Sequence, residues 1–193
     1  LILLLLAMPS LSQSIEDPYQ KIEAVSQQLV GIIGAHQKDY PKNEKQYFEA
    51  ISGLMDGLVD FRYIAKKVMG PYKAMATQQQ IALFAQIFRQ GLIETYSRGL
   101  INYKDQKIVL VEQKPLEKGQ RTLAVKQEIR SSGNVFSLKY SMARKKTGEW
   151  MVINMSISGI NLRDIFRNQF LQAAQKSSGD LDVVITGWTS DID

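Results

Sequence analysis

The chain has 193 residues, 45% of them hydrophobic and 22% charged, the balance of a globular domain large enough to bury a core without covalent staples. It carries no cysteine and one histidine, His36, which removes disulfides, thiolate metal sites and thiol nucleophiles and leaves little for imidazole-based metal or Ser-His-Asp chemistry. Lys and Arg number 24 against 19 Asp and Glu, a net charge of +5; the densest basic cluster is only Arg144-Lys145-Lys146, so the excess reads as scattered surface charge and not as a nucleic-acid stripe.

Residues 1–8 (LILLLLAM) are almost purely apolar, too short a run for a membrane span of about 20 residues but suited to the apolar centre of a secretory signal peptide. Ser10 and Ser12 supply the small residues of a cleavage site. The expectation is a signal remnant over residues 1–12, cut near Ser12-Gln13, and a single exported domain over residues 13–193.

Asp17-Pro18 is a strong helix start, and Ile22, Val25, Leu29, Ile32 and Ile33 follow at helical spacing until Tyr40-Pro41. A second helix is predicted from about Asn43, with Tyr47, Phe48, Ile51, Leu54, Met55 and Leu58 on one face. A short third one runs from Phe61 to Met69 and stops at Gly70-Pro71. Thr77 caps the clearest helix, striped by Ile81, Phe84, Ala85, Phe88, Leu92 and Tyr96.

Beyond Tyr103 the period changes to two. Ile108–Val111 is a β-branched run, and Leu123, Val125, Gln127 and Ile129 alternate with polar neighbours up to a turn at Ser132-Gly133-Asn134. Phe136, Leu138, Tyr140 and Met142 share the next face; after Thr147-Gly148 comes an apolar strand from Trp150 to Ile157. In that strand Trp150 and Val152 are expected to face away from Met151, Ile153 and Met155, with both sides covered. Asn161 caps a helix bearing Leu162, Ile165, Phe166 and Phe170, and a last short helical turn follows Gly179. The fold class is therefore α+β: N-terminal helices packed on one face of a curved antiparallel sheet of about four strands, with a C-terminal helix.

Catalytic motifs are missing: there is no phosphate-binding glycine loop, H-E-x-x-H or G-x-S-x-G. Asp180 and Asp182 diverge on a helix and read as caps, and the sequon at Asn154-Met155-Ser156 falls in a buried strand. A small α+β isomerase or dehydratase would need a pocket carboxylate of raised pKa, and no acidic residue lies on the expected inner strand faces. What remains is a set of aromatics and methionines on core-facing positions, and methionine adapts to irregular apolar partners. Periodicity alone does not separate a filled core from a hollow one.

At these residues the chain resembles the Mla-type periplasmic phospholipid-binding family, the MlaC or toluene-tolerance proteins. Val59-Asp60-Phe61-Arg62-Tyr63-Ile64-Ala65, Val68-Met69-Gly70, Tyr72, Ala76-Thr77, Gln80, Phe84, Phe88, Leu92 and Tyr96 are similar to the family's D-F-x-x-[MI]-A … V-L-G-x-[YW] … A-[ST]-x-x-Q … F-x-x-x-F-x-x-x-L-x-x-x-Y run. Gly148-Glu149-Trp150 through Asn154, then Gly159-Ile160-Asn161-Leu162, Phe166-Arg167 and Phe170 resemble G-x-W-x-[VI]-x-D … G-V-S-L-x-x-x-Y-R-x-x-F. Asn154, Asn161 and Phe166 stand where the family usually has Asp, Ser and Tyr, which marks a divergent member.

The resemblance implies a non-enzymatic carrier, without cofactor or metal, that shuttles phospholipid across the periplasm. Its implied partners are an outer-membrane lipoprotein complex and an inner-membrane ABC-transporter complex with its lipid-binding subunit, and its implied role is outer-membrane lipid asymmetry. Another envelope lipid such as a hopanoid is the alternative cargo. The cleft is expected between a sheet face (Phe136, Leu138, Tyr140, Met142, Met151, Ile153, Met155) and helices bearing Phe61, Tyr72, Phe84, Phe88, Tyr96, Ile160 and Phe166.

Overall fold

A computed structural model describes residues 16–190; the expected signal remnant and its cleavage point lie outside them. Four helices come first: α1 (Pro18–His36), α2 (Glu44–Asp56), α3 (Phe61–Val68) and, after a 3-10 turn over Gly70–Ala74, α4 (Gln78–Leu100). Five strands follow, β1 (Lys107–Leu110), β2 (Thr122–Ser131), β3 (Asn134–Arg144), β4 (Trp150–Ile157) and β5 (Ile160–Asn161), and then α5 (Leu162–Lys176) and α6 (Leu181–Thr186). The strands form one antiparallel meander in the order β1-β2-β3-β4-β5, one short strand more than the periodicity suggested.

Local chemistry accounts for the helix starts. The Asp17 carboxylate accepts the Tyr19 N–H at 2.8 Å with Pro18 at the first helical position, where its missing N–H costs nothing. Thr77 and Gln80 form a reciprocal capping box on α4, each side chain accepting the other's backbone N–H at 3.1 and 2.9 Å. Asp60 caps α3 and Asn161 caps α5.

Two of the three apolar clusters are helical. In the larger, Phe84 and Phe88 of α4 meet Phe166 and Phe170 of α5, residues of α3 and α6, and Trp188. Its rings pack edge to face, with Phe84–Phe170 centroids at 4.8 Å and Phe88–Phe166 at 5.3 Å, the geometry the ring quadrupole favours. Gly91 lets the C-terminal segment lie close on α4, since a Cβ there would stand 2.5 Å from Ser190 Oγ. The smaller cluster joins α1, α2 and α4 around Tyr47, whose hydroxyl donates to the Ser97 carbonyl at 3.0 Å. Burial pushes the Tyr47 phenol up to about 12. The third cluster lies between α1 and the sheet.

The helices meet the sheet at β4. Val152 donates its N–H to the Leu58 carbonyl at 2.8 Å, and the Asp60 N–H donates to the Val152 carbonyl at 3.0 Å. The segment entering α3 thereby extends the sheet beside β4.

Candidate apolar ligand site

Register assigns each strand residue to a face, because directly paired residues share one. Across β1, β2 and β3 the rows on one face are Ile108–Ile129–Phe136, Leu110–Gln127–Leu138, Val125–Tyr140 and Leu123–Met142. β4 and β5 continue it with Ile157 and Ile160 beside Leu138, Met155 beside Tyr140, and Val152 beside Met142. The opposite rows carry Lys107, Arg130, Lys126, Lys139, Glu128, Ser137 and Ser156. The sheet is thus mostly apolar on one side across all five strands and mixed on the other, where these charged and polar residues alternate with Val109, Ala124, Val135, Ala143 and Met151.

Helix α1 lies on the apolar side. Its start is tied down where Glu16 accepts the Trp150 N–H at 2.8 Å and pairs with Lys21 at 3.1 Å. The Tyr19 hydroxyl accepts the Lys114 N–H at 3.2 Å. Tyr19 and Ile22 then pack with Val125, Met142, Trp150 and Val152, all fully or nearly buried. Midway, Ser26 reaches Gln127 of β2. At its far end the Gln37 amide donates to the Ile101 carbonyl at 2.7 Å.

Burial falls off along this face. Towards the β2–β3 hairpin Ile108, Ile129 and Ile157 are half-buried, while Phe136 is 47% and Ile160 57% exposed. The apolar surface therefore runs from a sealed end under α1 to an open end, broken between Leu123 and Ile129 of β2 and between Phe136 and Met142 of β3 only by Gln127 and Tyr140. A polar groove of about 370 Å³ beside the open end is lined by Lys107, Arg130, Ser131 and Asn134, among others. On its outer side α1 borders a second groove of about 430 Å³, shared with α2 and lined by Val25, Gln28, Ile32, Ala50, Gly53, Leu54 and Gly57. A Cβ at Gly53 would meet nothing within 4 Å. Val25 belongs both to this groove and to the sheet cluster, so the groove adjoins the apolar layer.

The fourteen residues expected to line a cleft do not form one wall. Phe136, Leu138, Tyr140, Met142 and Met155 share the apolar sheet face, and Ile160 continues it through Ile157. Met151 does not: it pairs with Ala143 on the opposite face, and the expected grouping of Met151 with Met155 is corrected. The cause is a register shift at Ser141/Met142 that leaves Ile153 without a partner. Such a bulge reverses the alternation beyond it, which puts Trp150 and Val152 on the apolar side with Met142. Phe84, Phe88 and Phe166 are fully buried in the helical cluster, and Phe61, Tyr72 and Tyr96 pack at its border.

The expected lining held no residue of α1 and no Gln127, yet Tyr19, Ile22 and Ser26 reach the sheet face, and it also lacked Val125, Trp150 and Val152. Gln127 sat at an inward position of a clean alternation, which was the available signal. Burial raises the Tyr140 phenol above its ordinary value, so this hydroxyl is a neutral donor. Among the described residues no group of His, Asp and Glu is arranged to hold a metal, and no helix is long and apolar enough to cross a membrane.

A family model described as MlaC protein matches residues 23–190. The toluene tolerance protein ttg2D of Pseudomonas putida is 29% identical over 193 residues, 100% of this chain and 89% of that protein. The intermembrane phospholipid transport system binding protein MlaC of Haemophilus influenzae is 26% identical over 154 residues, 78% of this chain and 72% of its own. Among solved structures, the phospholipid-binding protein from Ralstonia solanacearum in complex with a phospholipid aligns with a TM-score of 0.78 at 20% identity, covering 89% of this chain and 94% of that one.

Proposed function

The chain belongs to the MlaC protein family, and on that premise we propose that it is a periplasmic phospholipid-binding transport protein whose cargo lies on the apolar sheet face. The observation that carries this reading is the burial gradient, sealed at Trp150 and open at Phe136 and Ile160. Each buried methylene contributes about 0.8 kcal/mol, so a tail of ~16 carbons needs roughly 12 kcal/mol of apolar cover to leave a bilayer. Single side chains do not supply that, whereas a five-strand face does.

Tails enter at the open end, run past Ser26 and Gln127, and displace the apolar α1 side chains beyond them from the sheet. The groove between α1 and α2, with no Cβ at Gly53 and Gly57, gives α1 room to move outward. The headgroup stays at the rim, in solvent beside the exposed Phe136 and Ile160. In this reading Phe84, Phe88 and Phe166 hold the helices together and do not touch lipid.

The names of the relatives support a carrier between membranes, so its partners are an inner-membrane ABC-transporter complex with its lipid-binding subunit and an outer-membrane lipoprotein complex. The work is binding and release, which calls for no catalytic group. Native mass spectrometry of protein purified from an expression host, with lipid extraction, tests the reading. One phospholipid per chain is expected. Protein that leaves the host empty and takes no lipid from vesicles overturns it.

A further inference from the structure

We infer that Gln127, held by Ser26 and Tyr140, is a polar subsite for the glycerol-ester carbonyls of the bound phospholipid, an inference that rests on the carrier reading above. Between Leu123 and Ile129 of β2 and between Phe136 and Met142 of β3, the apolar face carries two polar side chains, Gln127 and Tyr140, and they touch. Gln127 is 2% exposed. Its amide donates to Ser26 Oγ at 3.0 Å, and its carbonyl accepts the Tyr140 hydroxyl at 3.1 Å. Ser26 has one hydrogen to give and lies 2.9 Å from the Ile22 carbonyl and 3.2 Å from the Gln127 carbonyl, so it serves one of these acceptors at a time.

A carboxamide has two N–H donors and two acceptor lone pairs. Ser26 and Tyr140 engage one of each, so an N–H remains uncommitted inside an apolar layer. An ester carbonyl is the complement: it accepts, it cannot donate, and its burial without a donor is costly.

Depth agrees with this assignment. Gln127 pairs with Leu138, one inward row from the exposed Phe136, or ~7 Å along the strand. The strand continues six residues to Arg144, which pairs with the buried Trp150; that is ~20 Å. Half of a bilayer's hydrocarbon core is about 15 Å. A headgroup at the rim therefore brings the ester linkages to Gln127 and leaves length below for the tails.

The test compares uptake from vesicles carrying dipalmitoyl phosphatidylglycerol with uptake from vesicles carrying its dihexadecyl ether analogue, which lacks the carbonyls. Wild-type protein is expected to favour the diacyl lipid by about 3- to 10-fold, the worth of a hydrogen bond of ordinary net strength. Gln127→Leu brings the ratio of the two affinities to about one. Equal binding of both lipids by wild type, or a ratio unchanged in Gln127→Leu, overturns the subsite and leaves the carrier reading standing. Failure to take up either lipid overturns the carrier reading and the subsite with it. If Gln127→Leu does not fold, the wild-type ratio decides, together with Tyr140→Phe, which keeps the ring and is expected to lower the ratio.

Discussion

Phe136→Ser separates the sheet-face site from the helical aromatic cluster. Phe136 is 47% exposed, and a phenylalanine has about 150–250 Å² of surface to bury, so lipid arriving at the open end covers ~95 Å² of it. At ~25 cal/mol per Å² that amounts to ~2.4 kcal/mol, about 60-fold in affinity. The cost to stability is smaller, about 1 kcal/mol, because the side chain is only half-buried in the free protein. Equilibrium transfer of labelled phospholipid from vesicles, expressed per folded molecule from thermal melts, measures both quantities. Phe88→Ala is the counterpart: it empties a fully buried position, costs about 3–5 kcal/mol, and leaves lipid per folded molecule unchanged. The reasoning is refuted if Phe136→Ser takes up lipid within about twofold of wild type, or if Phe88→Ala lowers occupancy of the folded fraction.

Gly53→Leu fills the α1–α2 groove where a Cβ meets nothing within 4 Å; it should raise the melting temperature through helix propensity worth about 0.5–1 kcal/mol while slowing lipid uptake in stopped-flow transfer. Thr77→Ala breaks the α4 capping box and should cost about 1 kcal/mol in urea unfolding. Tyr47 holds its proton to about 12, so its contribution is whole below the free phenol's pKa of about 10 and is lost as pH rises through about 12. Alkaline melts should therefore steepen over that window in wild type and less so in Tyr47→Phe. Lys114 first, then Lys126, holds the exposed Glu112 carboxyl at about 2. Any stability it adds is present above the ordinary carboxylate value and lost as pH falls towards about 2, and carboxyl NMR titration should show added salt returning the group towards that value.

The elements were legible where one physical cause acted alone. Asp17-Pro18, Thr77 and Asn161 mark helix starts by hydrogen bonds made within four residues, and all three stand where the sequence put them; the reciprocal Gln80 half of the Thr77 cap came from the structure. β2 and β3 alternate cleanly because only one of their faces is covered. The two-residue β5 was not legible: Ile160–Asn161 pairs through Ser156↔Asn161 and Ile157↔Ile160, and two residues have no period. Nor was the path of α1 across the sheet, since Tyr19–Lys114, Ser26–Gln127 and Glu16–Trp150 join residues about a hundred positions apart.

The site failed to read cleanly in β4 for a related reason. Trp150 to Met155 is apolar at nearly every position, so alternation carries no information on which residues face the ligand layer. The unpaired Ile153 then inverts the order part-way, and Met151 and Met155 part company across the sheet. Phe84, Phe88 and Phe166 posed the opposite difficulty: a buried aromatic stripe looks the same whether its partner is a ring or an acyl chain, and only the edge-to-face contacts at 4.8–5.3 Å reveal rings. The polar exception proved more informative than the apolar majority. Many side chains can fill an apolar layer, but a buried glutamine fixed between Ser26 and Tyr140 narrows what can lie beside it.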